Sequence, residues 1–308
     1  MSVNGDGATI EGAHGRGTEK RELSVRHPHG RVVHCSIIGA ADLQKVVFYS
    51  HGFPASRIEA TVAHREALAR GITIVALDRP GFGRSEWYPE RRFEDWAQDV
   101  VLVADHLGVK RFEILGVSGG TPTAIAAAAL LSARVSGLTI VSGVGPLDGT
   151  GSTSGMNLVN QALLVLGRQL PWLGKWVVSS VAHLWRAYPR LVMLWFGVLL
   201  PNVDRQVVSR RDVGVILAKN IREALAQGVR GTVSEFMLLA SDWSGLLAKV
   251  KVPTTIWHGD ADTYVPLVMG ERLHRGIEGS TFHKVVGGGH FMILDTIGTI
   301  LDRYMVPR

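Results

Sequence analysis

The amino-acid sequence predicts an α/β protein, a doubly wound and mostly parallel sheet carrying one inserted helical unit. Short β-branched apolar runs at 45–50, 72–77, 111–116, 138–142 and 254–258 are each followed closely by Gly, Pro or Asp, the pattern of buried parallel strands. Helical patterns at 60–70, 93–107, 121–133, 267–275 and 292–304 alternate with them. After Pro146 the alternation stops, and about a hundred residues follow with helical periodicity and no clear buried strand.

Taken in order, residues 1–22 are Gly-rich and polar, lack the apolar stretch of a secretory signal, and are expected to form a flexible tail. Residues 23–146 and 251–308 are expected to form the sheet core. Residues 147–250 are expected to form a helical cap, or lid, that could be excised with the core sheet still folding. Within it Val213, Leu217, Ile221 and Leu225 recur every fourth residue, which places them on one helix face. Its Gly-rich start, 149–155, suits a hinge. The densest apolar run, 191–200, is half of what a bilayer span needs, so no transmembrane segment is expected. The single cysteine, Cys35, lies in a strand-like run and reads as a small core residue. A cytoplasmic location is expected.

The 308-residue chain carries a formal charge of +6. Eleven Lys and Arg against six Asp and Glu put +5 of that within 147–250. These charges are scattered among apolar residues with no nucleic-acid motif, which argues for solvated helix surface and against a nucleic-acid partner.

The chemistry concentrates at Gly116-Val117-Ser118-Gly119-Gly120, between an expected strand and an expected helix. A serine presented on so tight a turn needs glycine-sized neighbours two residues either side, and the helix start that follows favours negative charge developing at its oxygen. Its hydroxyl needs a base, itself oriented by a carboxylate. Candidates follow the last two strands: Asp260 and Asp262 after 254–258, and His290 after 282–286. Both loops lie at the carboxyl ends of strands, where open α/β sheets place their sites. His51-Gly52-Phe53-Pro54 follows the strand at 45–50 and can supply one backbone donor to an oxyanion, with the residue after the serine supplying the other. The assigned pair is Phe53 and Gly119. His51 is expected to orient that loop, and Asp78 to Ser85 to serve as turn chemistry.

These stretches resemble the α/β-hydrolase superfamily, over nearly everything from Val32 to Tyr304 except the inserted unit. The chain order Ser, Asp, His is that of the superfamily. The resemblance implies a triad of Ser118, Asp262 and His290, with Asp260 left as a turn residue. It implies no metal and no organic cofactor. The alternative acid position, one strand earlier, reads Ser142-Gly143 and has no carboxylate. The expected reaction is hydrolysis of an apolar carboxylic ester through an acyl-serine intermediate. Carbon–carbon bond hydrolysis, thioester hydrolysis and acyl transfer use the same triad and stay open, as does a low-turnover ligand-binding module. The sequence does not distinguish oligomeric states.

Overall fold

In the computed structural model, residues 2–4, 8–12, 20–147 and 152–305 are described. Ten strands form one sheet: β1 (Ser2–Asn4), β2 (Ala8–Gly12), β3 (Arg21–Arg26), β4 (Val32–Gly39), β5 (Val46–Ser50), β6 (Thr73–Leu77), β7 (Phe112–Val117), β8 (Val135–Val141), β9 (Thr254–Gly259) and β10 (Thr281–Val285). Their spatial order is β1-β2-β3-β4-β6-β5-β7-β8-β9-β10. β1 to β4 pair antiparallel down to β6, and the strands from β6 to β10 are parallel. Every residue of β5 and β6 is buried, which explains their unbroken apolar sequences.

Five helices accompany the sheet: α1 (His64–Ala69), α2 (Asp95–His106), α3 (Thr121–Leu130), α10 (Leu267–Gly276) and α11 (Ile293–Asp302). One core cluster joins Phe48, Phe112, Trp96 and Val100 with the alanine-rich α3, where Ala124 to Ala128 are all buried. The opposite sheet face packs Ile74, Leu115 and Val141 against Ala67 of α1 and Ile293, Ile297, Ile300 and Leu301 of α11. The i, i+4, i+7, i+8 spacing of these four side chains gives α11 one apolar stripe.

Between β8 and β9 lie α4 (Leu158–Gln169), α5 (Pro171–Ala187), α6 (Pro189–Leu199), α7 (Asn202–Val208), α8 (Arg211–Ala224) and α9 (Arg230–Ala240). These helices lie within the unit expected at 147–250, whose far end meets the sheet core. Leu239, Trp243, Leu246, Leu247 and Val250 are buried in the same core cluster as β5 and β7. The turn after α9 packs as part of the core, with Trp243 edge-on against Phe93 at 6.2 Å between ring centres, whereas α9 itself packs chiefly against α4 and α5 and reaches the core cluster through Leu239. The hinge expected at 149–155 falls partly on 149–151, outside the described residues.

The flexible tail expected over 1–22 is corrected. Ser2–Asn4 and Ala8–Gly12 are strands that extend the sheet, and Arg21 and Glu22 already belong to β3. Glycines hid the pattern: Thr9, Ile10 and Glu11 pair with Ser24, Leu23 and Glu22. Glu22 accepts hydrogen bonds from Ser36 at 2.8 Å and Arg57 at 2.7 Å. Residues 1, 5–7 and 13–19 lie outside the described residues. Among the described residues no helix is long and apolar enough to cross a membrane.

Candidate active site

Ser118 ends the run of β7 and opens the turn into α3. Its backbone sits at φ 49°, a region that side-chain-bearing residues rarely occupy. Sterics hold it there. A Cβ on Gly116 would lie 2.6 Å from Ala124 Cβ, and one on Gly120 would lie 2.3 Å from the Ser50 carbonyl oxygen. Strand and helix can close around Ser118 only because both positions lack a side chain, and Pro122 fits the first turn of α3.

The Ser118 hydroxyl lies 3.0 Å from His290 Nε2, and His290 Nδ1 lies 2.9 Å from Asp262 Oδ2. The other oxygen of Asp262 accepts the Tyr264 and Val265 N–H groups, each at 2.9 Å. That leaves one oxygen aimed at the imidazole. Asp260 accepts the Gly287 N–H at 2.7 Å, fastening the loop after β9 to the loop after β10, and does not reach the histidine. Burial would depress the His290 pKa. The charge of Asp262, its hydrogen bond, and the charges of Asp204 and Glu59 outweigh burial and raise it above the ordinary imidazole value.

The loop after β5 comes against the turn from the other side. A Cβ on Gly119 would lie 3.3 Å from the Phe53 nitrogen, so the two backbones run in contact. The Gly52 N–H is already committed, donating to Glu59 Oε1 at 2.9 Å. Arg79, fully buried, donates to the carbonyl oxygens of His51 and, at 2.9 Å, of Gly52. The His51 ring accepts the Arg79 N–H at 3.3 Å through Nε2, and burial keeps its pKa well below the ordinary value. Thus His51 lies in the loop's framework and does not contact Ser118. Asp78 accepts from the backbone N–H groups of Arg57, at 2.8 Å, and Arg84, at 3.0 Å.

Three residues that the sequence reading did not single out contribute. Asp204 of α7 accepts the Phe291 N–H at 2.9 Å, directly beside His290. Any side chain at Gly289 would collide with that carboxylate, the Cβ falling 2.3 Å from its oxygen. Glu59 also accepts the Tyr49 hydroxyl hydrogen bond at 3.0 Å, and burial raises its pKa. Glu235 of α9 lies 3.1 Å from Arg79 and also pairs with Arg91, all three being buried. Glu235 and Asp204 come from helices more than eighty residues away in sequence from the loops they brace; only the folded chain joins them. Arg79 lay within the turn segment that the sequence did mark.

A cavity of about 370 Å³ opens over Ser118, Gly119, Phe53 and His290. Its remaining walls are mostly apolar and come largely from the inserted helices, including Leu163, Val178, Trp185 and Phe236. The four residues spaced every fourth position, Val213, Leu217, Ile221 and Leu225, all face this cavity. Among the described residues none of its walls is Lys or Arg, and none of their His, Cys, Asp and Glu groups clusters as a metal site.

A family profile described as alpha/beta hydrolase fold matches residues 45–187. The 2-hydroxy-6-oxononadienedioate/2-hydroxy-6-oxononatrienedioate hydrolase of Cupriavidus pinatubonensis is 24% identical over 84% of this chain and 84% of its own. A bifunctional esterase/perhydrolase of Acinetobacter calcoaceticus is 25% identical over 72% of this chain and 75% of its own. The esterase from Exiguobacterium antarcticum superposes with a TM-score of 0.63 at 20% identity, covering 92% of this chain and 98% of that one.

Proposed function

From its α/β-hydrolase fold we propose that this chain is a hydrolase of that superfamily and that it cleaves neutral, apolar carboxylic esters through an acyl-serine intermediate. The observation that carries the reading is the unbroken hydrogen-bonded line from Ser118 through His290 to Asp262 beneath an apolar cavity.

In this mechanism His290 Nε2 takes the Ser118 proton as the oxygen attacks the ester carbonyl. Asp262 holds the imidazole in the tautomer with hydrogen on Nδ1 and stabilises the imidazolium that forms. The Phe53 and Gly119 N–H groups receive the oxyanion; with the Gly52 N–H held by Glu59, Phe53 is the loop's next available donor. His290 then gives its proton to the departing alcohol. It next activates water, which releases the acid and restores Ser118.

The inserted helices act as the cap that selects the substrate, since they supply most of the apolar wall. The Cupriavidus relative acts on a dicarboxylate, by its name, and the absence of Lys and Arg among the described residues of this cavity's walls favours a neutral ester instead. Glu59, on the wall, would add repulsion toward an anion. Turnover of p-nitrophenyl esters of increasing acyl length, beside a thioester and a vinylogous diketone, tests the assignment. Ester turnover should lead and show a maximum at one chain length. A faster rate on the thioester or the diketone overturns it.

A further inference from the structure

The two halves of the inserted segment are built differently. α7, α8 and α9 are tied to the core by polar side chains: Asp204 to the Phe291 N–H, Asn220 to the Ser56 N–H at 2.8 Å, Glu223 to Arg57 at 2.6 Å, and Glu235 to Arg79. α4, α5 and α6 show the reverse. The inner side of α4 and α5, with Leu163, Leu164, Val178 and Trp185, lines the cavity, while the outer side of all three helices leaves large apolar residues in solvent. Leu158 is 81% exposed, Trp172 70%, Trp176 66%, Leu194 67% and Trp195 62%. The spacing on α5 puts Trp172, Trp176 and His183 on one stripe, and Leu191, Leu194 and Trp195 form another on α6.

Charge on this stretch has one sign. No Asp or Glu occurs between Asp148 and Asp204, whereas Arg168, Lys175, Arg186 and Arg190 do. Arg168, Lys175 and Arg186 are exposed, Lys175 and Arg186 on the same helix as Trp172 and Trp176, while Arg168 is near enough to Asp242 to lower that carboxyl's pKa. Trp and Leu beside Lys and Arg is the composition of a helix that lies in a membrane interface, its rings at the headgroup level and its cations on anionic phosphates. A second copy of the chain fits this face poorly, because a symmetric pairing would oppose cation to cation with no acid on the stretch to neutralise them. No described helix can span a bilayer, so the contact is peripheral.

We propose that the outer face of α4, α5 and α6 docks the protein on the surface of anionic lipid bilayers. This surface is separate from the residues argued to perform hydrolysis, and docking is read without any turnover. The test is co-sedimentation of the full chain with vesicles of phosphatidylcholine alone and of equal parts phosphatidylcholine and phosphatidylglycerol. Binding is expected to the mixed vesicles only, and to weaken steeply as salt rises from ~0.05 to ~0.5 M. Each cation near such a surface strengthens binding roughly fivefold, so R168Q/K175Q/R186Q should weaken it on the order of a hundredfold. W172A/W176A/W195A should weaken it at least tenfold. Circular dichroism and thermal melts establish that both variants fold, and the lipid and salt dependence of the unmodified chain stands as a measurement independent of them. Failure to bind mixed vesicles at low salt overturns the proposal. So does equal binding to both vesicles, or unchanged binding in folded variants. Self-association abolished by the tryptophan substitutions, without vesicle binding, would assign the face to a second copy instead.

Discussion

Ser118 holds a strained backbone, at a cost of about 1–3 kcal/mol, and that strain keeps its hydroxyl raised toward His290. Ser118→Ala relieves nothing that the fold needs. It should leave the thermal melt within about 1 kcal/mol of the parent, lower ester turnover on the order of 10⁶-fold, and abolish labelling by a fluorophosphonate probe. The two neighbouring aspartates divide cleanly. Asp262→Asn should cost on the order of 10⁴ in turnover, because an amide favours the wrong imidazole tautomer, while Asp260→Asn keeps an oxygen that can accept the Gly287 N–H and costs far less. A larger loss at Asp260 would reverse the assignment. In the proposed mechanism Asp204 acts on His290 through charge and through the loop that carries it. His290 must be neutral to accept a proton, so activity falls as pH drops through its raised pKa. Removing the Asp204 charge with Asp204→Asn destabilises imidazolium and lowers that pKa, so the acid limb of the kcat/KM profile should move to lower pH. A limb that stays put or moves upward contradicts a role for its charge. Ser118, Asp262 and His290 were legible in the sequence because each follows a strand within a few residues. Asp204 and Glu59 were not, since a carboxylate near the start of a helix carries no local sign of where that helix will dock.

Among elements, the loop after β5 shows how closely two backbones must run. A Cβ on Gly119 would fall 2.5 Å from Phe53 Cβ, so Gly119→Ala has to push the loop away. Turnover should drop on the order of 10²–10³-fold, the loss typical of one missing oxyanion donor, with little change in KM. Steady-state kinetics on a short ester checks the split between the two constants. α9 offers a different kind of dependence. Replacing Glu235 by Gln removes the carboxylate shared by Arg79 and Arg91, leaving two buried guanidinium groups with one charge fewer to face. A destabilisation of about 3–5 kcal/mol is expected, visible as a lower denaturant midpoint. The sequence showed these helices by their period of 3.6 but could not divide them between core and insertion. Trp243, Leu246 and Leu247 look no different in sequence from Leu163 or Trp185, yet the first three pack in the core and the other two line the cavity, while Leu239 reaches both.

For the molecule as a whole, the mostly parallel sheet and its carboxyl-end loops were legible because parallel strands buried on both faces write continuous apolar runs, whereas the order of the strands was not read. The antiparallel edge at β1 and β2 was not, as its short glycine-flanked segments read locally as tail. The same packing changes what excision of the insertion should do. A short linker in place of 149–250 would strip Glu235, Trp243 and Leu247 from the core, so that variant should fail to fold, as judged by circular dichroism and thermal melts. A folded, active variant of that kind would show that the core does not need α9. The uneven anchoring of α4 to α6 and α7 to α9 also sets where recombination between relatives can succeed. α8 and α9 meet side-chain partners of matched chemistry, the Ser56 hydroxyl, Arg57 and Arg79, so a donor segment containing them must bring those partners along. α4 begins from Asn157, whose side chain and backbone both bond to the Thr263 carbonyl, a main-chain acceptor that any donor sequence retains. Crossovers placed at Asn157 and Pro201 would therefore move a cavity wall and its outer surface as one cassette and leave the polar contacts around Ser118 in place, provided that the cassette keeps Gly167, whose backbone lies against Phe236 and Ala240 of α9.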